Sequence, residues 1–229
     1  MQIMKQLSIK GLFLPAIALC SLLLSGNAAH AALVTYSFTG TMTDMSSAAL
    51  TPTLSLVSPN NIMSGTFQFD NTTPASGPGI YSGAVKNLSL TIGSYSVNVP
   101  TMTTGLNGIL ISNNSPGDLW RLQTAVAGGV PINGFTPYQF DLNVVDGSGT
   151  TLSSTALQNP PSLGDLLSSP RWRVLFENGP GGDIVSVRGA ISSLTAVPLP
   201  AAVLLFGAGL ISLVGLGAGG LRNLRWPQA

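Results

Sequence analysis

The acid-base chemistry available to this chain is confined to a few positions. Glu177, the single glutamate, could work with Asp165 or Asp183 as the paired carboxylates of a glycoside hydrolase, one as acid and the other as nucleophile or base. The only aromatic residues placed to stack on a sugar are Tyr138, Trp120 and Trp172. Glu177 and Asp183 also flank the glycine-rich run Asn178-Gly179-Pro180-Gly181-Gly182, where they read as ordinary surface residues of a hairpin. The two tryptophans lie in alternating runs that favour the core over a ligand platform. The one histidine and the one cysteine, His30 and Cys20, belong to the first 31 residues. Residues 32–197 therefore hold no catalytic triad, no thiol and no Cys/His metal site. Asp146 to Thr150, DGSGT, has the outline of a calcium loop but lacks acidic residues at alternating positions and a closing Glu. A tight hairpin is expected there. This reading assigns no catalytic residue, no metal and no cofactor.

The elements that must position these residues read as strands. Val34, Tyr36 and Phe38 alternate with Thr35, Ser37 and Thr39 in LVTYSFTGTM, the period-two pattern of a half-buried strand. The same pattern recurs in SGTFQFD, VKNLSLTI, SYSVNV after a Gly93-Ser94 turn, PYQFDLNVV, RWRVLFE and DIVSVRGAISSLTAV. Turn residues separate the runs, as in Asp70-Asn71-Thr72-Thr73-Pro74 and Ser76-Gly77-Pro78-Gly79. One brief helix is expected near 162–167. The whole is an all-β pattern, predicted to be one antiparallel β-sandwich or jelly-roll-like domain over 32–196.

Charge is scarce, at 7% of residues against 45% hydrophobic, and its placement is uneven. All eight acids fall within 32–197 with five bases (Lys86, Arg121, Arg171, Arg173 and Arg188), a net charge of −3. The other four bases flank two oily segments: Lys5 and Lys10 precede one, Arg222 and Arg225 follow the other. That arrangement speaks for membrane topology and against nucleic-acid binding. MQIMKQLSIK, the apolar run GLFLPAIALCSLLL and the small residues Ala29 and Ala31 have the three parts of a secretory signal peptide. Residues 1–31 are expected to be removed by signal peptidase, leaving Ala32 first. A lipoprotein signal at Cys20 is disfavoured by Leu19 before it.

Residues 201–221 carry no charge and, as a helix rising about 1.5 Å per residue, would span roughly 30 Å, a bilayer core. Arg222 and Arg225 would then act as a stop-transfer flank, holding that end in the cytoplasm and the body outside. Gly215, Gly217 and Gly220 spell G-x-G-x-x-G, but no strand leads into them and no acidic residue follows, so no dinucleotide site is inferred. Gly215 and Gly219 form a G-x-x-x-G pair whose spacing arises easily in so glycine-rich a run.

Val197-Pro198-Leu199-Pro200-Ala201, the apolar helix with its LLFGAGL run and the short basic flank together resemble the PEP-CTERM sorting signal of Gram-negative bacteria, in its VPLPA variant. The resemblance covers 197–226. It implies a substrate of an exosortase-like membrane sorting enzyme, often encoded beside exopolysaccharide machinery. Leu199 stands where the commoner form has Glu. The motif also has a physical rationale. Pro198 and Pro200 lack N–H donors and push the residues before them toward extended conformations, which keeps the segment open to a protease. The expected protein is an exported, non-catalytic cell-surface or matrix protein, associated through this resemblance with exopolysaccharide. The alternative is a carbohydrate-active enzyme or glycan-binding module on the same tail.

Overall fold

The computed structural model describes residues 33–51, 53–55, 61–99, 107–114, 117–126, 129–166 and 170–198. The signal-peptide residues with Ala29, Ala31 and Ala32, the motif residues Leu199, Pro200 and Ala201, the apolar segment 201–221 and Arg222 and Arg225 all lie outside them. Among the described residues no helix is long and apolar enough to cross a membrane.

The fold is all-β. Among the described residues ten strands, β1 (Leu33–Met45), β2 (Ile62–Asp70), β3 (Ile80–Ser82), β4 (Val85–Ile92), β5 (Tyr95–Val99), β6 (Asn107–Asn114), β7 (Gly117–Ala125), β8 (Thr136–Asp146), β9 (Arg171–Glu177) and β10 (Ile184–Ala196), form one antiparallel sheet. Its order is β3-β6-β7-β8-β9-β10-β1-β2-β4-β5. Each of the seven alternating runs is a strand. β3, β6 and β7 complete the sheet. The helix expected near 162–167 is only a single 3₁₀ turn, Leu163–Asp165. Ser162 makes no side-chain capping bond and Leu166 is already extended at ψ 132°, so nothing propagates the turn.

The sheet curls until its two halves face each other. Phe38 on β1 stacks on Phe140 of β8 with ring centroids 5.7 Å apart, Phe67 on β2 lies 6.0 Å from Trp120 of β7, and Tyr95 on β5 lies 6.0 Å from Phe176 of β9. The alternation in each run explains this, because one face of each strand supplies buried apolar side chains, rings on β1, β2, β3, β5, β7, β8 and β9, while the other face is mostly polar. Burying each aromatic side chain contributes about 2–3 kcal/mol. No cysteine occurs in 33–198, so this apolar layer carries the stability unaided by disulfides. The curl is helped by irregular register on β1, where the pairing with β10 shifts between Thr39 and Gly40 and again between Met42 and Asp44. Trp172 lies against that bent region. A Cβ on Gly189 would stand 2.7 Å from its indole nitrogen and 1.8 Å from the Thr41 carbonyl oxygen, so the strands meet there only because the residue is glycine.

Two connections between strands shape the ends of the core. The β4–β5 hairpin turns through Gly93 at φ +58°, as its sequence leads one to expect. DGSGT, in contrast, is not a tight hairpin. β8 ends at Asp146 and β9 begins only at Arg171; the chain between them, 147–170, of which 147–166 and Pro170 are described, is a long excursion. Asp146 organises its start, accepting the backbone N–H groups of Ser148 at 3.0 Å and Thr150 at 3.2 Å, an Asx turn in place of a strand return. The excursion then closes over one end of the core. Tyr81 donates to the Thr155 carbonyl at 2.7 Å, Trp120 Nε1 to that of Gln158 at 3.0 Å, and Leu152 is buried.

Candidate functional site: an arginine-lined sheet face

The outer face of β7 to β10 gathers four of the five bases of the body. The strand registers set them in rows. Gln123, Asp141, Arg173, Arg188 and Asp44 are successive direct neighbours across β7, β8, β9, β10 and β1. Arg121, Asn143, Arg171, Ala190 and Thr41 form the adjoining row. Two arginines directly opposite one another, Arg173 and Arg188, would repel. Each leans away to its own carboxylate. Arg173 donates to Asp141 from Nε at 3.0 Å and also from Nη2, while Arg188 Nε donates to Asp44 at 2.6 Å. Asp141 is wholly buried and also takes Gln139 Nε2 at 2.9 Å and Arg121 Nη2 at 3.4 Å. It is the anchor of the face.

Arg171 differs from its neighbours. It is exposed and joins none of the ion pairs among the described residues. Beside it the small side chain of Ala190 leaves a cleft of about 420 Å³ walled by Thr43, Asp44, Arg171 and Arg188. A planar guanidinium at the edge of a polar cleft suits bidentate recognition of a carboxylate, phosphate or sulfate.

The hydrolase candidates do not converge here. Asp183 is exposed in the β9–β10 turn, where its carbonyl accepts Asn178 N–H at 3.0 Å, and Asp165 is exposed on the 3₁₀ turn of the 147–170 excursion. Glu177 ends β9 beside Tyr138. The phenol of Tyr138 is raised above its ordinary pKa of 10, first by burial and then by the negative charge of Glu177. A phenol shifted in that direction is a poorer proton donor near neutrality. Trp120 and Trp172 are fully buried core residues, as their alternation indicates, and neither forms a sugar platform. Nothing in the sequence alone singles out the outer-face arginines. Their common signal is position, the polar slot of alternating strands, and it becomes a site only once register aligns β8, β9, β10 and β1.

The class this fold defines is a single-sheet, antiparallel all-β protein. No protein-family model, curated protein or solved structure matches the chain.

Proposed function

We propose that the chain is an exported, non-catalytic cell-surface or extracellular-matrix protein, cut by signal peptidase between Ala31 and Ala32 and sorted through a PEP-CTERM-like signal over 197–226. In this reading the helix 201–221 holds the protein in the membrane until an exosortase-like enzyme reads Val197, Pro198, Leu199, Pro200 and Ala201, with Arg222 and Arg225 as the cytoplasmic stop. The body 32–196 is a sandwich-like domain. The run β6-β7-β8-β9-β10 is a meander of consecutive strands, which favours a plain sandwich over a jelly roll, although β10–β1 and β3–β6 set sequence-distant strands side by side.

The observation that carries the reading is the order of motif, apolar span and basic flank in the sequence. The fold adds support. β1 and β10 are antiparallel neighbours, and Val197 N–H donates to the Thr35 carbonyl at 2.8 Å, so the two ends of the body leave the sheet side by side. A body tethered at both ends before processing needs this arrangement, since both tethers then reach one membrane surface. Intact-mass measurement on the protein from its native cells tests the proposal by locating both cuts. A mass beginning at Met1, or one with the signal-peptide region removed and 197–229 retained in the mature extracellular form, defeats it in its respective half.

A second reading, a glycan-binding module carried by the same tail, is favoured by one feature: the cleft beside Arg171. It suits an acidic glycan, and an array of neutral and uronate-bearing oligosaccharides would separate the two readings.

A further inference from the structure

The end of the core beneath the 147–170 excursion holds an arrangement that hydrogen bonding leaves incomplete. Asp118 on β7 and Asp146 on β8 are directly paired in register, and both are 1% exposed. Their side chains share the inward face with Trp120 and Val144. Residues directly opposite in an antiparallel pair have Cβ atoms about 4.5–5.5 Å apart, and like charges in those positions destabilise the sheet. Burial raises the cost further, because a carboxylate removed from water must find compensation.

Compensation is uneven between the two. Asp146 takes the amides of Ser148 and Thr150 and the Ser148 hydroxyl. Asp118 accepts one bond, from Leu152 N–H to Oδ2 at 2.8 Å, and this turns its carboxylate toward the start of the excursion. Its other oxygen, Oδ1, is buried with no hydrogen-bond partner, and no arginine or lysine bridges it among the described residues. The hydroxyl oxygen of Thr151, the residue just before that amide, is a second buried oxygen without a partner. Two aspartates and a hydroxyl therefore gather where the chain closes over the core, with negative charge to spare and oxygen as the only donor type.

We propose that this end of the sheet binds a calcium ion, with Asp118 Oδ1 and the Asp146 carboxylate as charged ligands and Thr151 Oγ1 as a neutral one. Loop carbonyls and water complete the six to eight oxygens that calcium takes. Calcium fits better than magnesium because the donors come from two neighbouring strands and the irregular chain that follows, a mixed set that imposes no regular octahedron. Among the described residues no group of three or more His, Cys, Asp or Glu could hold a metal. Two carboxylates set the affinity in the range of extracellular modules, about 10⁻⁴–10⁻³ M. The ion would tie β7, β8 and the excursion together, a cross-link for a body that has no cysteine.

The test uses the intact protein stripped with EGTA and then given calcium chloride, magnesium chloride or sodium chloride at matched ionic strength. In about 10 mM calcium, Tm should rise by about 4–8 °C, and sodium should not reproduce the shift. Asp118→Asn should melt higher than the parent in EGTA, since one of two opposed charges is gone, and should lose the calcium response. A merely structural aspartate would behave oppositely, melting lower when replaced. Terbium should show luminescence sensitised by Trp120, two residues from Asp118 on the same face, and calcium should displace it. An unchanged Tm in calcium, an equal response to magnesium, or a full calcium shift retained by Asp118→Asn overturns the proposal. If Asp118→Asn does not fold, the EGTA and calcium arms on the parent protein still decide it.

Discussion

Asp141 and Arg173 stand directly opposite one another on β8 and β9, and the guanidinium reaches the wholly buried carboxylate with Nε at 3.0 Å. One strand further on, Arg188 and Asp44 make a shorter contact, 2.6 Å, with half of each side chain in water. The two pairs look alike in a contact map, and burial makes them unequal. Removing Asp141 takes away the acceptor shared by Arg173, Arg121 and Gln139, although both arginines are part-exposed and recover some hydration. Asp141→Ala should therefore cost about 1–3 kcal/mol. Asp44→Ala should cost less than about 0.5 kcal/mol. Urea unfolding of the two variants checks this, and equal midpoints would show that Asp141 is no anchor.

The glycines under Trp172 give a second expectation. A methyl on Gly189 would meet the Thr41 carbonyl at 1.8 Å, and one on Gly40 would meet that of Ala190 at 2.3 Å. In both cases the obstacle is backbone on a neighbouring strand, which cannot swing aside as a side chain can. Gly189→Ala and Gly40→Ala should each lose about 3 kcal/mol, a fall in Tm of roughly 6–12 °C. Gly179→Ala is the control for open space, since nothing lies within 4 Å of its Cβ position; its φ of +77° leaves only the local backbone penalty.

Tyr95 provides a pH dependence. It is buried against Phe176, donates its hydroxyl to the Val130 carbonyl at 2.9 Å, and burial pushes its pKa from 10.0 up to about 12. The folded state holds the proton more tightly than the unfolded chain does. This stability is fully present below pH 10 and is lost as pH rises from 10 toward about 12. The slope of such a loss is about 1.4 kcal/mol per pH unit. Tyr95→Phe should be less stable at neutral pH by about 1 kcal/mol, the lost hydrogen bond, but flatter above pH 10. Denaturation midpoints between pH 8 and 11.5 would show the two curves converging; parallel curves would remove Tyr95 as the cause.

The strands legible in the sequence are those whose apolar residues alternate, because one face meets the opposite half of the sheet and the other meets water. β6 is hard to see for the converse reason. Its Ile109-Leu110-Ile111 run does not alternate, and asparagine and glycine border it. β3 is only three residues long, with one buried side chain, Tyr81. The clusters are hidden more deeply than the strands. Arg171 and Ala190 become neighbours only through the β9–β10 register, and Asp118 meets Asp146 only through that of β7 and β8. A calcium loop sought as one contiguous pattern is missed when its second carboxylate arrives from the next strand. DGSGT reads as a hairpin because Asp and Gly favour tight turns, and the long excursion after it carries no periodic pattern to announce itself.

The last expectation concerns Pro198 and Pro200. Val197 is still tied to Thr35 through its N–H, and Pro198 comes next, exposed and with no N–H of its own to extend the ladder. The sheet therefore hands over its last strand at the point where the proposed sorting motif begins. A permanent anchor requires only the apolar span and the arginines behind it. A processed tail additionally requires a segment that stays extended between strand and helix. If the proposed membrane helix follows, Pro198→Ala with Pro200→Ala would allow it to start earlier, which should leave membrane insertion intact while the full-length form accumulates. Replacing Arg222 and Arg225 should act differently, weakening the stop and letting some chains slip through the membrane. Pulse-chase labelling with fractionation separates these outcomes. If the double proline variant matures and leaves the membrane at the rate of the parent, the motif is a hinge before an anchor and the sorting reading falls.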